Sequence, residues 1–457
     1  MIHAIGISSR LARTTLTLST LLAVLSPVTT ALSQSAVRMS SASRDQLRRS
    51  RFSHSAGVDS ETAAVDAALP APAEALTGYD SLTNGFLPQG PAFTSLNSSN
   101  AVPGRSYNDN RFIFEEFETV ADGLGPTYNA QSCRECHQNV VTGGASQVTE
   151  QRTGHLLNGQ FFDSQGGSLI QSRATDPSMM ELVAVGDDIR TFRISTNTLG
   201  EGYVEAIANA RLLAIRDGQP AGMRGTAVIV PVLEANGRAR VGRFGWKSQH
   251  ASLESFAADA YLNEMGITSP LFPDENTSGG RDVSAYDGVA DPEDSGDDVK
   301  AFADFMRATK APARGPITAA VQAGERVFNQ AGCNVCHVPS IRTAPAGTVV
   351  NGNTLKVSAA LGNKIIHPYS DFLLHDIASG DGIPIQPTPE YAATANKIRT
   401  APLWGLRIRN RLMHDGLSFS REDAIQRHGG QAAPALRRYQ NLSAGNKASL
   451  MEFLNSL

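Results

Sequence analysis

The sequence predicts a mainly α fold in two similarly built halves, the first carrying an inserted β-hairpin region. Three observations lead there. A Cys-x-x-Cys-His unit occurs twice, at residues 133–137 and 333–337, and accounts for all four cysteines. Apolar residues recur at helical spacing around both units, most clearly at Val321, Val327 and Phe328 before the second and at Leu450, Phe453, Leu454 and Leu457 at the chain's end. Between them, Asn236-Gly237 separates two apolar, β-branched runs (226–233 and 238–244), a strong hairpin signal. A chain of 457 residues can bury more than one core.

The amino terminus reads as an export signal. Arg10 and Arg13 precede an apolar run at 15–25, Pro27 breaks it, and Ala31 and Ser33 suit a cleavage site. The run is too short to span a bilayer, and no later stretch reaches the required length, so no transmembrane segment is expected after signal removal. An N-terminal membrane anchor is the other reading, and either one places the body outside the cytoplasm, in the periplasm. Losing 1–33 removes two arginines and leaves 38 basic against 44 acidic residues, a charge of about −6. Such a balance argues against nucleic acid as a partner. Residues 34–78, rich in Ser, Ala and Arg, read as a flexible leader before an ordered body that starts near Tyr79.

Four cysteines in an exported chain would ordinarily form disulfides. Here the spacing is that of covalent haem attachment: Cys133, Cys136, Cys333 and Cys336 supply thiols to haem vinyl groups, and His137 and His337 supply proximal nitrogens to two irons. A four-sulfur zinc site is the other chemistry open to paired Cys-x-x-Cys, but a His directly after each second Cys favours haem. A helix opening at Pro316, broken at Gly332 before the motif and answered by a C-terminal helix capped at Ser443, completes a cytochrome c-like unit at 316–457. The first unit spans 79–315, with helices expected at 111–120, 252–264 and 299–306 and the hairpin insertion between the first two. The expected fold is therefore mainly α, with two cytochrome c-like haem domains. The segment 140–240 is otherwise not placed, and the acidic run 287–298 reads as a solvated loop.

A second axial ligand would close an iron, whereas an open position would allow chemistry. His428 ends a helical run and precedes Gly429-Gly430, which would let backbone approach a porphyrin face. It is read as the second ligand of the His337 iron, the alternative being a cation at a helix C-terminus. His375 and His414 are read as hydrogen-bond partners of a propionate or a carbonyl. For the His137 iron, His155, His250 and Met265 are candidate distal ligands, and an open position is the fourth possibility.

Arg399-Thr-Ala-Pro-Leu-Trp-Gly-Leu406, Met413-His-Asp-Gly416 and the run from Ser420 to His428 resemble the C-terminal half of bacterial di-haem cytochrome c peroxidases. The thiol oxidoreductase-like branch of di-haem oxidoreductases resembles the chain more fully, through residues 368–376, His428-Gly429-Gly430 and 263–273. The resemblance covers about 110–137, 241–273 and 316–457. It implies that His428 stands where the peroxidases carry a Met ligand, and that Glu264 takes the place of their distal-pocket acid. It further implies that Trp246 lies between the haems, that Phe256 replaces a pocket Gln and that Ala260 stands near their Pro. A calcium ion near Thr400-Ala-Pro402 is implied as well. The function implied is reduction of hydrogen peroxide at the N-terminal haem, with Glu264 as acid/base and Trp246 as relay. Electrons would come from a small cytochrome or cupredoxin through the C-terminal haem. Two alternatives stay open: a non-catalytic electron-transfer protein, and an oxidase of an organic or protein substrate.

Overall fold

Strand is more plentiful than the sequence pattern led us to expect. The computed structural model describes Glu61, residues 71–78 and residues 107–457; 34% of it is helical and 18% strand, in several small sheets. The mainly α expectation is thereby corrected. Most of the missed strands are two or three residues long, too short to show a period of two, and the longest lies in the segment the sequence left unplaced. The signal-like segment at 1–33, most of the leader at 34–78 and the expected body start at Tyr79 lie outside the described residues.

The largest sheet is centred on strand Thr149–Leu157, which pairs antiparallel with Gln160–Asp163, Leu169–Ile170 and Ile189–Ile194. The expected hairpin forms with strands Ile229–Val232 and Arg238–Val241, turning through Asn236 and Gly237, both at positive φ. The described end of the leader is tied down: Ala73–Glu74 pairs parallel with Lys364–Ile366, and the Gly78 N–H donates to Ala311 O.

The helices that position the two motifs follow the expected pattern with shifted ends. Near the first motif, helix Tyr107–Glu115 and helix Asp297–Ala308 bury Phe114, Phe302 and Phe305 against one another, with Tyr261 edge-on to Phe302 at 5.0 Å. Helix Leu253–Ala260 starts at the Ser252 cap and runs into a wider turn at Tyr261–Met265, which delivers Glu264. Near the second motif, helix Ala319–Ala331 packs on the C-terminal helix Ala444–Ser456. A Cβ at Gly324 would lie 1.9 Å from Ser449 O, so only glycine permits this crossing. Phe328, Phe453 and Leu450 fill the seam, each contributing about 1.5–3 kcal/mol by leaving water.

The acidic run 287–298 is largely the loop its composition indicated, exposed or half-buried except at Asp294, before a helix starts at Asp297. Asp294 is buried and accepts the Asp298 N–H at the head of a helix, and Glu293 accepts from Thr268 N.

Candidate functional site

At the second motif, Gly332 ends the preceding helix in the left-handed region, and a single tight turn, Cys333–Val335, carries both cysteines and His337 to one wall of an apolar cavity. His428 stands on the opposite side. The two imidazole centres lie 6.3 Å apart. Two imidazoles this close across an apolar cavity would be able to hold one iron between them. Hydrogen bonds hold each ring in an orientation suited to a bond with that iron. His337 Nδ1 donates to Tyr369 O at 2.9 Å and His428 Nδ1 to Ala424 O at 2.7 Å, which leaves both Nε2 lone pairs facing away from those carbonyls. Burial pushes His337 down to about 4 and lowers His428, so both are neutral at pH 7, as ligands must be.

The cavity is walled by Phe328, Leu403, Leu412, Leu436, Leu450 and Leu454. Three arginines also line it, and Arg399 Nη2, Arg409 Nε and Arg421 Nε each lack a partner among the described residues. Burial lowers Arg399 and Arg409 to about 10. Unpaired guanidinium N–H groups in a hydrophobic cavity call for an anionic ligand edge. A propionate-bearing haem meets the apolar walls, the two thiols, the paired imidazoles and the arginines together.

The glycines after His428 do something other than expected. A Cβ on Gly430 would sit 2.5 Å from Asp376 O, and Gly429 N–H donates to Ile377 O. Here they allow close packing against the 376–378 backbone. His375 is buried with Nε2 on Asp371 Oδ2 at 2.8 Å, and its Nδ1 lies 3.7 Å from Cys336 Sγ.

At the first motif, helix Cys133–Cys136 is capped by Ser132, and His137 lies with its ring 6.2 Å from Phe114. Burial pushes His137 down to about 4, again a neutral imidazole. The Glu264 backbone carbonyl accepts from Asn129 and Ala130, just ahead of the motif, and its side chain accepts from Asn129 Nδ2 at 2.9 Å. Burial, then the Glu264 charge, push the Cys136 thiol up to about 12. Glu264 hydrogen-bonds the side chain of Glu150, and Glu150 is held by Arg152 through Nε at 2.6 Å and Nη2 at 3.1 Å. Burial first, and then the Glu150 charge, push Glu264 up to about 8. Burial opposes ionisation of Glu150 as well, but the adjacent guanidinium more than offsets it and Glu150 is lowered. The first site thus holds a protonated carboxyl beside an ionised one.

Trp246 lines the second site's cavity, edge-on to His414 at 6.2 Å. Its Nε1 donates to Ile194 O at 2.7 Å, and the next residue, Ser195, donates through Oγ to Cys136 O at 2.7 Å. One indole is therefore joined to both motifs within two residues of strand end.

The candidate distal ligands fall in different places. His155 stacks on Phe162 with 41% of its side chain exposed. His250 is buried with Nε2 on Asp259 at 3.1 Å and packs against Phe256. Met265 is in the main core. Near Thr400-Ala-Pro402, where the resemblance implies a calcium ion, Thr400 O accepts from Ser370 Oγ and Pro402 O from Arg409. The groups of ligand-type side chains among the described residues, Cys336/Asp371/His375 and Glu275/Asp287/Glu293, stand elsewhere.

A family model described as "Di-haem oxidoreductase, putative peroxidase" matches residues 157–457, about two thirds of the sequence. The chain belongs to the di-haem oxidoreductases. Haem is accordingly the cofactor of this di-haem oxidoreductase, and oxidoreduction its chemistry. The match begins after the first Cys-x-x-Cys-His. No curated protein matches the sequence. Solved structures with a similar path include hydrazine synthase from Kuenenia stuttgartiensis (14% identity, 88% of this chain and 100% of that one, TM-score 0.36). A MauG-like protein associated with microbial copper homeostasis (14%, 86% and 95%, 0.36) and the diheme peroxidase BthA from Burkholderia thailandensis (14%, 88% and 94%, 0.31) are also similar. Likeness at this level does not bear on function.

Sequence reasoning missed Glu150, Arg152 and the three cavity arginines of this di-haem oxidoreductase. Glu150-x-Arg152 has the spacing of one face of a strand, the signal that would have found the first two once 149–157 was read as a strand. The arginines are scattered over 399–421 and carry no local pattern.

Proposed function

We propose that this di-haem oxidoreductase is an exported, periplasmic enzyme that reduces hydrogen peroxide at the His137 site with electrons entering through the His337/His428 site. One observation carries the reading: two imidazoles face each other at the second motif, while beside the first stands a buried, protonated carboxyl, Glu264. When bound, haem supplies an iron that transfers electrons when held on both sides and reacts with an oxidant when one face is free. Cys133, Cys136 and His137 would hold one haem, and Cys333, Cys336, His337 and His428 the other, each pair of thiols forming thioether bonds.

The net reaction takes one hydrogen peroxide, two protons and two electrons to two waters. Glu264 gives its proton to the leaving oxygen while its other oxygen takes the peroxide proton, so the carboxyl ends neutral as it began. Asn129, fixed on Glu264 Oε2, keeps that carboxyl aimed. Trp246 is the relay, because its ring is at the second cavity and its N–H is tied to the strand end that holds the first motif. The electrons come singly from a small reduced cytochrome or cupredoxin. Among the described residues no helix is long and apolar enough to cross a membrane.

Low-temperature EPR of the ferric holoprotein, repeated after one-electron reduction, tests the reading together with peroxide turnover. The expected result is one low-spin signal and one high-spin signal, the latter present initially or after reduction. Glu264→Gln should cut turnover about 100-fold or more and leave the low-spin signal intact. Two low-spin signals that persist on reduction would overturn the proposal in favour of electron transfer alone.

A further inference from the structure

Glu150 does not belong to any part of the resemblance, yet its side chain hydrogen-bonds that of Glu264. Two carboxyl groups in hydrogen-bond contact cannot both be ionised; one proton must lie between them. Which one keeps it follows from their other partners. Arg152 holds Glu150 with two N–H groups, and Arg193 adds a further positive charge from the neighbouring strand. Glu264 receives a single amide N–H from Asn129. The helix before it carries Asp259, whose charge acts on Arg152. From the motif loop the facing group is Cys136, itself acted on by Glu135 and Arg173. The arrangement places the negative charge on Glu150 and the proton on Glu264.

We propose that Glu150 and Glu264 form one proton-sharing unit, in which Glu150, clamped by Arg152, is the positioning residue that keeps Glu264 in its acid form. This rests on the assignment of Glu264 to the peroxide site and states how that site is regulated by pH. In the proton step, the O–H bond of Glu264 breaks and the proton passes to the leaving oxygen. Its other oxygen takes the peroxide proton, so the pair again holds one proton and one negative charge beside Arg152, and each proton the net reaction then consumes at the site comes from water. Arg152 also lines a polar cavity with His250, Asp259, Asn263 and Gln171, a path by which that proton can arrive from water.

The pair's titration is readable apart from turnover. Infrared difference spectra of the holoprotein, taken as pH is stepped from about 6 to about 10, should contain a protonated carboxyl that ionises near 8 and is missing from Glu264→Gln. That subtraction matters because burial also raises Glu118 and Glu201, to about 7 and 8. In Glu150→Gln the same band should ionise at least one pH unit lower, since a neighbouring negative charge is gone while Arg152 remains. Glu150→Gln/Arg152→Gln, which leaves no unpaired buried charge, should shift it in the same direction. Peroxide turnover in the wild type should fall as pH rises through about 8, where the donor form is lost, and this limb should move down with the band in both variants. A band that titrates unchanged in both variants overturns the proposal. A band that shifts in a protein that does not turn over peroxide supports the pair and removes the peroxide assignment alone.

Discussion

At the second motif the polar atoms facing the cavity are imidazole Nε2 and guanidinium N–H groups, set among leucines; at the first they are carboxyl groups in contact with one another. The same five-residue motif serves both. What differs is the element brought opposite it. The second receives a histidine from the end of helix Arg421–Gln426, oriented by a carbonyl of that helix's last turn. The first receives Glu264 from a turn that follows helix Leu253–Ala260 and Glu150 from a strand. A neutral imidazole closes an iron and stabilises it for electron transfer; a neutral carboxyl holds a transferable proton. On the proposed function, the comparison teaches that the attachment motif would fix a cofactor's position and the opposing residue would decide its use.

The most severe way to break this contrast is to open the second site. His428→Ala should abolish its low-spin EPR signal and reduce donor-driven turnover about 10–100-fold, while leaving the Glu264 infrared band where it is. If the low-spin signal survives, His428 is not the ligand. A smaller effect is expected between the sites. Trp246→Phe keeps the ring against His414 but loses the Nε1 bond to Ile194, costing about 1 kcal/mol of stability and slowing inter-site electron transfer several-fold in stopped-flow reduction. Unchanged transfer would remove Trp246 from the route. The smallest effect sharpens the contrast by sparing both sites. Ser443 Oγ accepts the Asn446 N–H at an exposed helix start, so Ser443→Ala should lower stability by about 1 kcal/mol in thermal unfolding with neither EPR signal altered.

Much of the second site was legible because its parts are close in sequence or marked by local chemistry. Gly332 announces the helix end, Ser443 the helix start, and His428 follows a helical run. The hairpin at Asn236-Gly237 was legible for the same reason. The first site was half legible. Glu264 came through resemblance, but its partner Glu150 is reached only by pairing a strand with a distant turn, which no local pattern encodes. The strand content was underestimated for a related reason: bridges such as Leu374–Asp376 with Lys397–Arg399 are fixed by tertiary packing and not by alternation along the chain. The acidic run 287–298 was legible as a loop, though composition does not register that Asp294 within it is buried and accepts the Asp298 N–H.

The short strand at Ala73–Glu74 has a consequence for the order in which the molecule is made. Asn363 Nδ2 donates to Ala71 O across 292 positions of sequence, and the parallel pairing begins beside it. Loop-closure entropy makes such a contact costly until most intervening structure exists, so it belongs to the late stages of folding. The amino-terminal segment is therefore held waiting, and the chain is laced shut only after the region around residue 364 has taken shape. Until then a protease has access to the segment that it later loses. Resistance of residues 71–78 to limited proteolysis thus reports completion of the whole, not of the first half.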